Sequence, residues 1–162
     1  MSFLSFCQWL SETALSHSLR EAPYPYPVLL IIHVITIAVF GGMVVIGNLR
    51  VLGRAMPSVP VSVVLSQFRP WKWIAGLILL VTGVLIATSD PMEYYDNVMF
   101  WISNGLVLAA CANALIFRFG AYRDVAAWER EATAPSGAIL WARVSLVLWI
   151  ALVFAGRAIA FF

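Results

Sequence analysis

Charge is what this chain has least of: 10 Lys and Arg with 8 Asp and Glu, 11% of 162 residues. That is too little to keep a soluble domain in solution. The formal net charge of +2, with its basic residues scattered, also excludes a nucleic-acid-binding surface. Cysteine is equally scarce. Cys7 lies before the first long apolar run and Cys111 deep inside another, so no disulfide between them is expected, and neither belongs to a metal motif. Histidines number two, His17 and His33. Nothing resembles a nucleophile with its base, a metal cage or a phosphate-cradling glycine loop, so catalysis by this chain alone is not expected. The stretch from Met1 to Glu21 has no basic start followed by an apolar run, so no cleavable leader is expected and the first span serves as the membrane signal. Paired broken helices and a repeat of one half in the other are also missing, which argues against a transporter.

What is present is apolar surface. Hydrophobic residues make up 62% of the chain, and its mean hydropathy is +0.91. An integral membrane protein follows. At about 20 apolar residues per crossing, the length supplies about four spans and no soluble domain. The expected fold is all-α: one membrane domain over residues 1–162, a four-transmembrane-helix bundle with spans at about 28–49, 71–88, 98–117 and 139–161. Residues 3–19 place Phe3, Phe6, Leu10, Ala14 and Leu15 along one face, the pattern of an amphipathic helix lying in the headgroup layer. Pro23, Pro25 and Pro27 read as an extended connector with Tyr24 and Tyr26 as interfacial anchors, and Pro27 suits a first helical position. Residues 57–68 are apolar but contain Pro57 and Pro60, which suggests a short reentrant or interfacial turn ahead of the basic, aromatic boundary Arg69, Trp71, Lys72, Trp73.

Orientation follows from the loops. Arg50, Arg54, Arg69 and Lys72 join spans one and two; Arg118, Arg123 and Arg130 join three and four; Asp90, Glu93 and Asp96 join two and three with no basic residue between them. The positive-inside rule then makes the basic loops cytoplasmic and puts the acidic loop and both termini outside. His33 falls about 9 Å below the outer surface at about 1.5 Å of rise per residue. Small residues four apart, Ala38 and Gly42, Gly105 and Ala109 with Asn113, and Ala151 and Ala155, mark expected helix-packing faces.

Two ionisable residues lie well inside spans near the outer side, His33 in the first and Arg157 in the last. Each must be paired, solvated or able to snorkel. Asp90 stands within reach of Arg157, and Glu93, Tyr94, Tyr95, Asp96 and His17 crowd the same level. Arg143 can snorkel to cytoplasmic headgroups. Three uses of His33, Arg157 and Asp90 are open. His33 could be the axial ligand of haem b with Arg157 neutralising a propionate. The trio could form a quinone or lipid-headgroup site with Trp101 or Tyr95 stacking on the ring. Or His33 could bond a neighbouring helix and Arg157 pair with Asp90, both holding the bundle in register. For haem, His17 is the one other imidazole, and Met43 and Met92 are not placed to substitute.

The early histidine, NLRVLG closing span one, RPWKWIAGLILLVTG opening span two, DPMEYYDNVMFW leading into span three, ANALIF, and the closing LWIALVFAGRAIAFF together resemble an uncharacterised family of small four-helix bacterial inner-membrane proteins (domain of unknown function, 6644 type). His33, Arg50, Pro70, Trp71, Gly156 and Arg157 are its most distinctive positions here. The resemblance implies a bacterial inner-membrane location. It also exposes departures: family patterns often carry an acidic residue near Ile31 and Ile32, an aspartate at Asn48, a lysine near Ser103 and a histidine near Arg118. Loss of those charges tilts this chain toward a structural role. The expected function is a non-catalytic accessory subunit of a larger membrane complex, electron-transfer or photosynthetic. Its partners would be the lipid bilayer and other membrane subunits, which the seven tryptophans, Trp9, Trp71, Trp73, Trp101, Trp128, Trp141 and Trp149, would face.

Overall fold

The computed structural model describes residues 3–131 and 133–161, and among these every regular element is helical. The order is α1 (Phe3–Ser11), α2 (Ala14–Glu21), α3 (Pro25–Val51), α4 (Val61–Ser89), α5 (Pro91–Asp96), α6 (Val98–Phe119), α7 (Val125–Trp128) and α8 (Ser136–Ala158). α3, α4, α6 and α8 are long and apolar enough to cross a membrane, the signature of a multi-pass membrane protein.

Local chemistry moved several expected boundaries. The N-terminal segment is two helices: Thr13 breaks the run, accepts from the Ser16 amide and donates its hydroxyl to the Leu10 carbonyl. The extended connector is shorter than its prolines suggest. Pro25 and Pro27 both sit in the first turn of α3, where an absent amide hydrogen costs nothing. Residues 61–68 form no reentrant turn; Pro60 precedes the first turn of α4, and the helix continues through Pro70 to Ser89. At 29 residues α4 is about 43 Å long, more than the ~30 Å hydrocarbon layer needs, so its first turns project beyond the Arg69–Trp73 boundary.

That projection builds the most buried part of the molecule. Val51 and Val61 pack with Trp128, Ala138 and Ala142 at the end of the helices that carries the basic loops, with Leu65, Phe117 and Val125 around them. Trp128 donates its indole N–H to the Ala121 carbonyl at 2.9 Å. Glu129 accepts from the Ser62 amide at 3.0 Å in the first turn of α4, and these bonds to Ser62 hold its carboxyl below the usual range. The opposite, acidic end gathers α1, α2, α5 and the close of α8. Ser16, fully buried, donates to the Ser89 carbonyl at 3.2 Å, and Asn97 donates to the Ile159 carbonyl at 2.9 Å.

The long helices pack as two antiparallel pairs, α3 with α4 and α6 with α8, joined through a thinner seam between α3 and α8. The row therefore runs α4, α3, α8, α6. At the seam Trp149 lies flat against Gly41, where an added Cβ would fall 2.4 Å from the indole nitrogen, and Phe40 tilts against the same ring at 5.5 Å. Asn48 donates to Ser145 at 2.9 Å further along. The small-residue faces fall differently from the sequence pattern on two helices. On α3 Gly41, not Gly42, meets the neighbour; on α6 the row facing inward is Ser103, Leu106, Ala110, Asn113 and Phe117, which leaves Gly105 and Ala109 exposed. On α8 Ala155 is buried as expected.

Gly41→Ala is expected to drive a methyl group into the indole of Trp149 and cost about 1–3 kcal/mol, the range for overpacking. Gly42→Ala, one residue on with nothing within 4 Å, stays within about 0.5 kcal/mol. Thermal unfolding in detergent compares the two, and equal melting shifts would refute the seam as drawn.

Candidate functional site around His33

His33 lies two turns into α3, and its half-buried ring turns toward α4. Its Nδ1 stands 2.7 Å from the Thr82 hydroxyl, which in turn is 2.7 Å from the Ile78 carbonyl one turn back in α4. A hydroxyl has one proton, and a threonine inside an apolar helix gives it to the preceding turn. Thr82 Oγ1 is therefore the acceptor for an Nδ1–H of His33. That assigns the neutral imidazole its tautomer: the proton on Nδ1, the lone pair on Nε2. Gly83 makes room, since a Cβ there would stand 3.4 Å from His33 Cε1. The ring is thus held on one nitrogen and offers the other, the arrangement by which proteins orient an imidazole that ligates a metal or accepts a proton.

Level is fixed by the seam. His33 is eight residues before Gly41 and Arg157 eight residues after Trp149, so in antiparallel helices the two stand at one height. Their partners differ. The Arg157 guanidinium lies over the Phe161 ring at 4.7 Å. Asp90 pairs with Arg20 of α2 at 3.8 Å, not with Arg157, and also caps α5 by accepting from the Glu93 amide at 3.3 Å. The reason is local: Asp90 ends α4 at the corner where α2 lies, while Arg157 sits in α8 on the far side of α3. His17 faces Glu21 one turn on in α2, at 3.2 Å, so the two imidazoles have separate partners.

The aromatic residues of the acidic end are also engaged. Tyr95 and Trp101, expected as stacking platforms, close on Phe3 of α1 with centroids at 5.8 and 5.7 Å, and Trp101 donates to the Tyr95 carbonyl at 3.0 Å. Tyr94 meets Tyr26 hydroxyl to hydroxyl at 3.5 Å. Burial first, then the Tyr26 hydrogen bond and the Glu93 and Asp90 charges, push the Tyr94 phenol well above its ordinary range, so it stays protonated. Among the described residues no three of His, Cys, Asp and Glu gather into a group that could hold a metal ion. Cys7 and Cys111 are both free.

Thr82 is the site residue that sequence reasoning missed. Its signal was present: a hydroxyl in the middle of the apolar LLVTGVL run, at the position a hairpin of α3 and α4 brings opposite His33. Arg50, named from the sequence as a distinctive position, has its partner at the other end of α3. It is 9% exposed, and its Nε donates to the Val59 carbonyl, so the arginine that ends α3 is folded inward at the basic end.

The chain belongs to a family of unknown function (DUF6644), which matches residues 28–162 and so covers α3 to α8 but not α1 and α2. No curated protein and no solved structure matches it.

Nitrogen-15 spectra of histidine-labelled protein are expected to show His33 as the neutral Nδ1–H tautomer. Thr82→Val removes the acceptor, mixes the tautomers and costs about 1 kcal/mol, as an interhelical hydrogen bond in a membrane does. A pure Nε2–H signal in the unaltered chain would contradict the assignment.

Proposed function

We propose that this family member is a non-catalytic accessory subunit of a larger bacterial inner-membrane complex, one concerned with electron transfer, with both termini in the periplasm. The observation that carries the proposal is the uncovered face of α6. Gly105 and Ala109, four residues apart, face outward with Asn104 beside them, and, its own helix backbone aside, no described residue lies within 4 Å of the space a Cβ on Gly105 would take. Small residues at that spacing let a second helix approach to backbone contact, the main source of helix association in lipid. Position supports it too: α6 ends the helix row, where a further helix can be added. The orientation rests on the basic loops meeting at one end and both termini with Asp90, Glu93 and Asp96 at the other.

Extracted from native membranes in mild detergent, the chain is expected to co-purify with a larger assembly. Gly105→Leu with Ala109→Leu releases it while leaving its helix content unchanged. Recovery of the unaltered protein only as a free monomer or homo-oligomer would overturn the proposal.

One observation favours a second reading, haem b or a quinone at His33: the Nε2 lone pair offered by a half-buried imidazole whose other nitrogen is fixed by Thr82. His33 suits one axial position of a haem or one hydrogen bond to a quinone carbonyl. With His17 engaged by Glu21, a second imidazole would come from another subunit. This reading expects a Soret band in the purified protein that His33→Ala abolishes. Colourless, folded protein from haem-replete cells would remove haem from it.

A further inference from the structure

We propose that the groove between the end of α3 and the first half of α8 binds one anionic phospholipid, its phosphate held by Arg54 and Arg143. The groove measures about 440 Å³ and is lined by Leu52, Arg54, Ile139, Arg143, Leu146 and Val147. It lies past the Asn48–Ser145 hydrogen bond, beside the place where Val51 packs with Ala138 and Ala142. Gly53, with a left-handed φ of 71°, ends α3 and sets Arg54 at the groove's rim.

Three observations select the occupant. Its wall is aliphatic except for the two guanidiniums, which suits an acyl chain beneath an acidic headgroup. Neither arginine has an acidic partner: among the described residues the ion pairs are His17 with Glu21 and Arg20 with Asp90. Arg50 makes the contrast, since the adjoining cavity of about 100 Å³ that it lines also holds Glu129 and Glu131, which offset its charge within the chain. Finally, Arg143 stands seven residues into α8, about 10 Å from its start, on an exposed position of a helix apolar enough to span a membrane. A guanidinium at that depth needs an anion drawn down to it or a stretched side chain reaching up. Two arginines without a carboxylate favour a lipid of net negative charge over a zwitterionic one, whose own cation competes with them.

The test is native mass spectrometry of the full chain released from nanodiscs of mixed phosphatidylglycerol and phosphatidylcholine. The expected result is one retained phosphatidylglycerol, favoured by about tenfold over phosphatidylcholine. Arg54→Gln with Arg143→Gln removes the preference, while Arg123→Gln, a basic loop residue outside the groove, keeps it. Leu146→Trp, which fills the groove and spares both arginines, lowers retention as well and guards against a misfolded double variant. Equal retention of the two lipids overturns the proposal. So does displacement by millimolar inorganic phosphate without regard to chain length, which would reduce the site to a phosphate site. Loss of a partner complex with unchanged lipid retention in the double variant also overturns it, since the arginines would then serve a protein carboxylate. That outcome leaves the α6 docking proposal standing.

Discussion

Everything in this fold hangs on the seam between α3 and α8. Two helical hairpins, α3 with α4 and α6 with α8, meet there through Trp149 against the bare backbone of Gly41 and through the hydrogen bond from Asn48 to Ser145. Lipid supplies no hydrophobic drive between apolar helices, so close approach and polar ties must do what oil-like burial does in water. Each adjacent pair follows that rule with its own tie: His33 to Thr82 for α3 and α4, Asn48 to Ser145 for α3 and α8, Asn113 to the Trp141 carbonyl for α6 and α8. Remove the seam and the hairpins retain their internal ties but lose their relation, and with it the common height of His33 and Arg157.

The two ends of the helix row are built differently. At the basic end a conventional apolar core forms around Val61, Trp128 and Ala138, because α4 overshoots the hydrocarbon layer and the loops can bury side chains against it. Glu129, set on the first turn of α4, fastens the loop to that overshoot. At the acidic end α1 and α2 are held by few contacts of mixed kind: Ser16 to Ser89, the exposed Arg20–Asp90 pair, and Phe3 between Tyr95 and Trp101. Phe3, Phe6 and Trp9 remain largely exposed, as an apolar surface meant for a bilayer interface would be. The family match begins just after these helices.

His33 commits one of its two ring nitrogens to the fold. Nδ1 belongs to the α3–α4 tie, and Nε2 is left to whatever meets the ring. A purely architectural role and a ligand role are therefore compatible in one residue. An accessory subunit that brings such an imidazole to a shared interface would need no second histidine of its own.

Four membrane-length helices and the opposed charge of the two ends were legible in the sequence, because length, hydropathy and loop charge are one-dimensional properties that the bilayer reads directly. His33 and Arg157 could be singled out for the same reason, since an ionisable group in an apolar run is conspicuous wherever it points, and Asp90 because it ends such a run at their level. Their partners could not. Asp90 found Arg20 and His33 found Thr82 because helix order and rotation decide which side chains face each other, and a helix turns 100° per residue, so Gly41 and Gly42 differ completely in fate though adjacent in the chain. The continuity of α4 through Pro70 was hidden likewise, since a proline's local cost is visible in sequence while the contacts of Val61 and Val64 that offset it are not. The sequence by itself determined that the chain is a set of four membrane-length helices with a charged polarity; only the tertiary structure decided which faces meet, because that depends on distances between residues far apart in the chain.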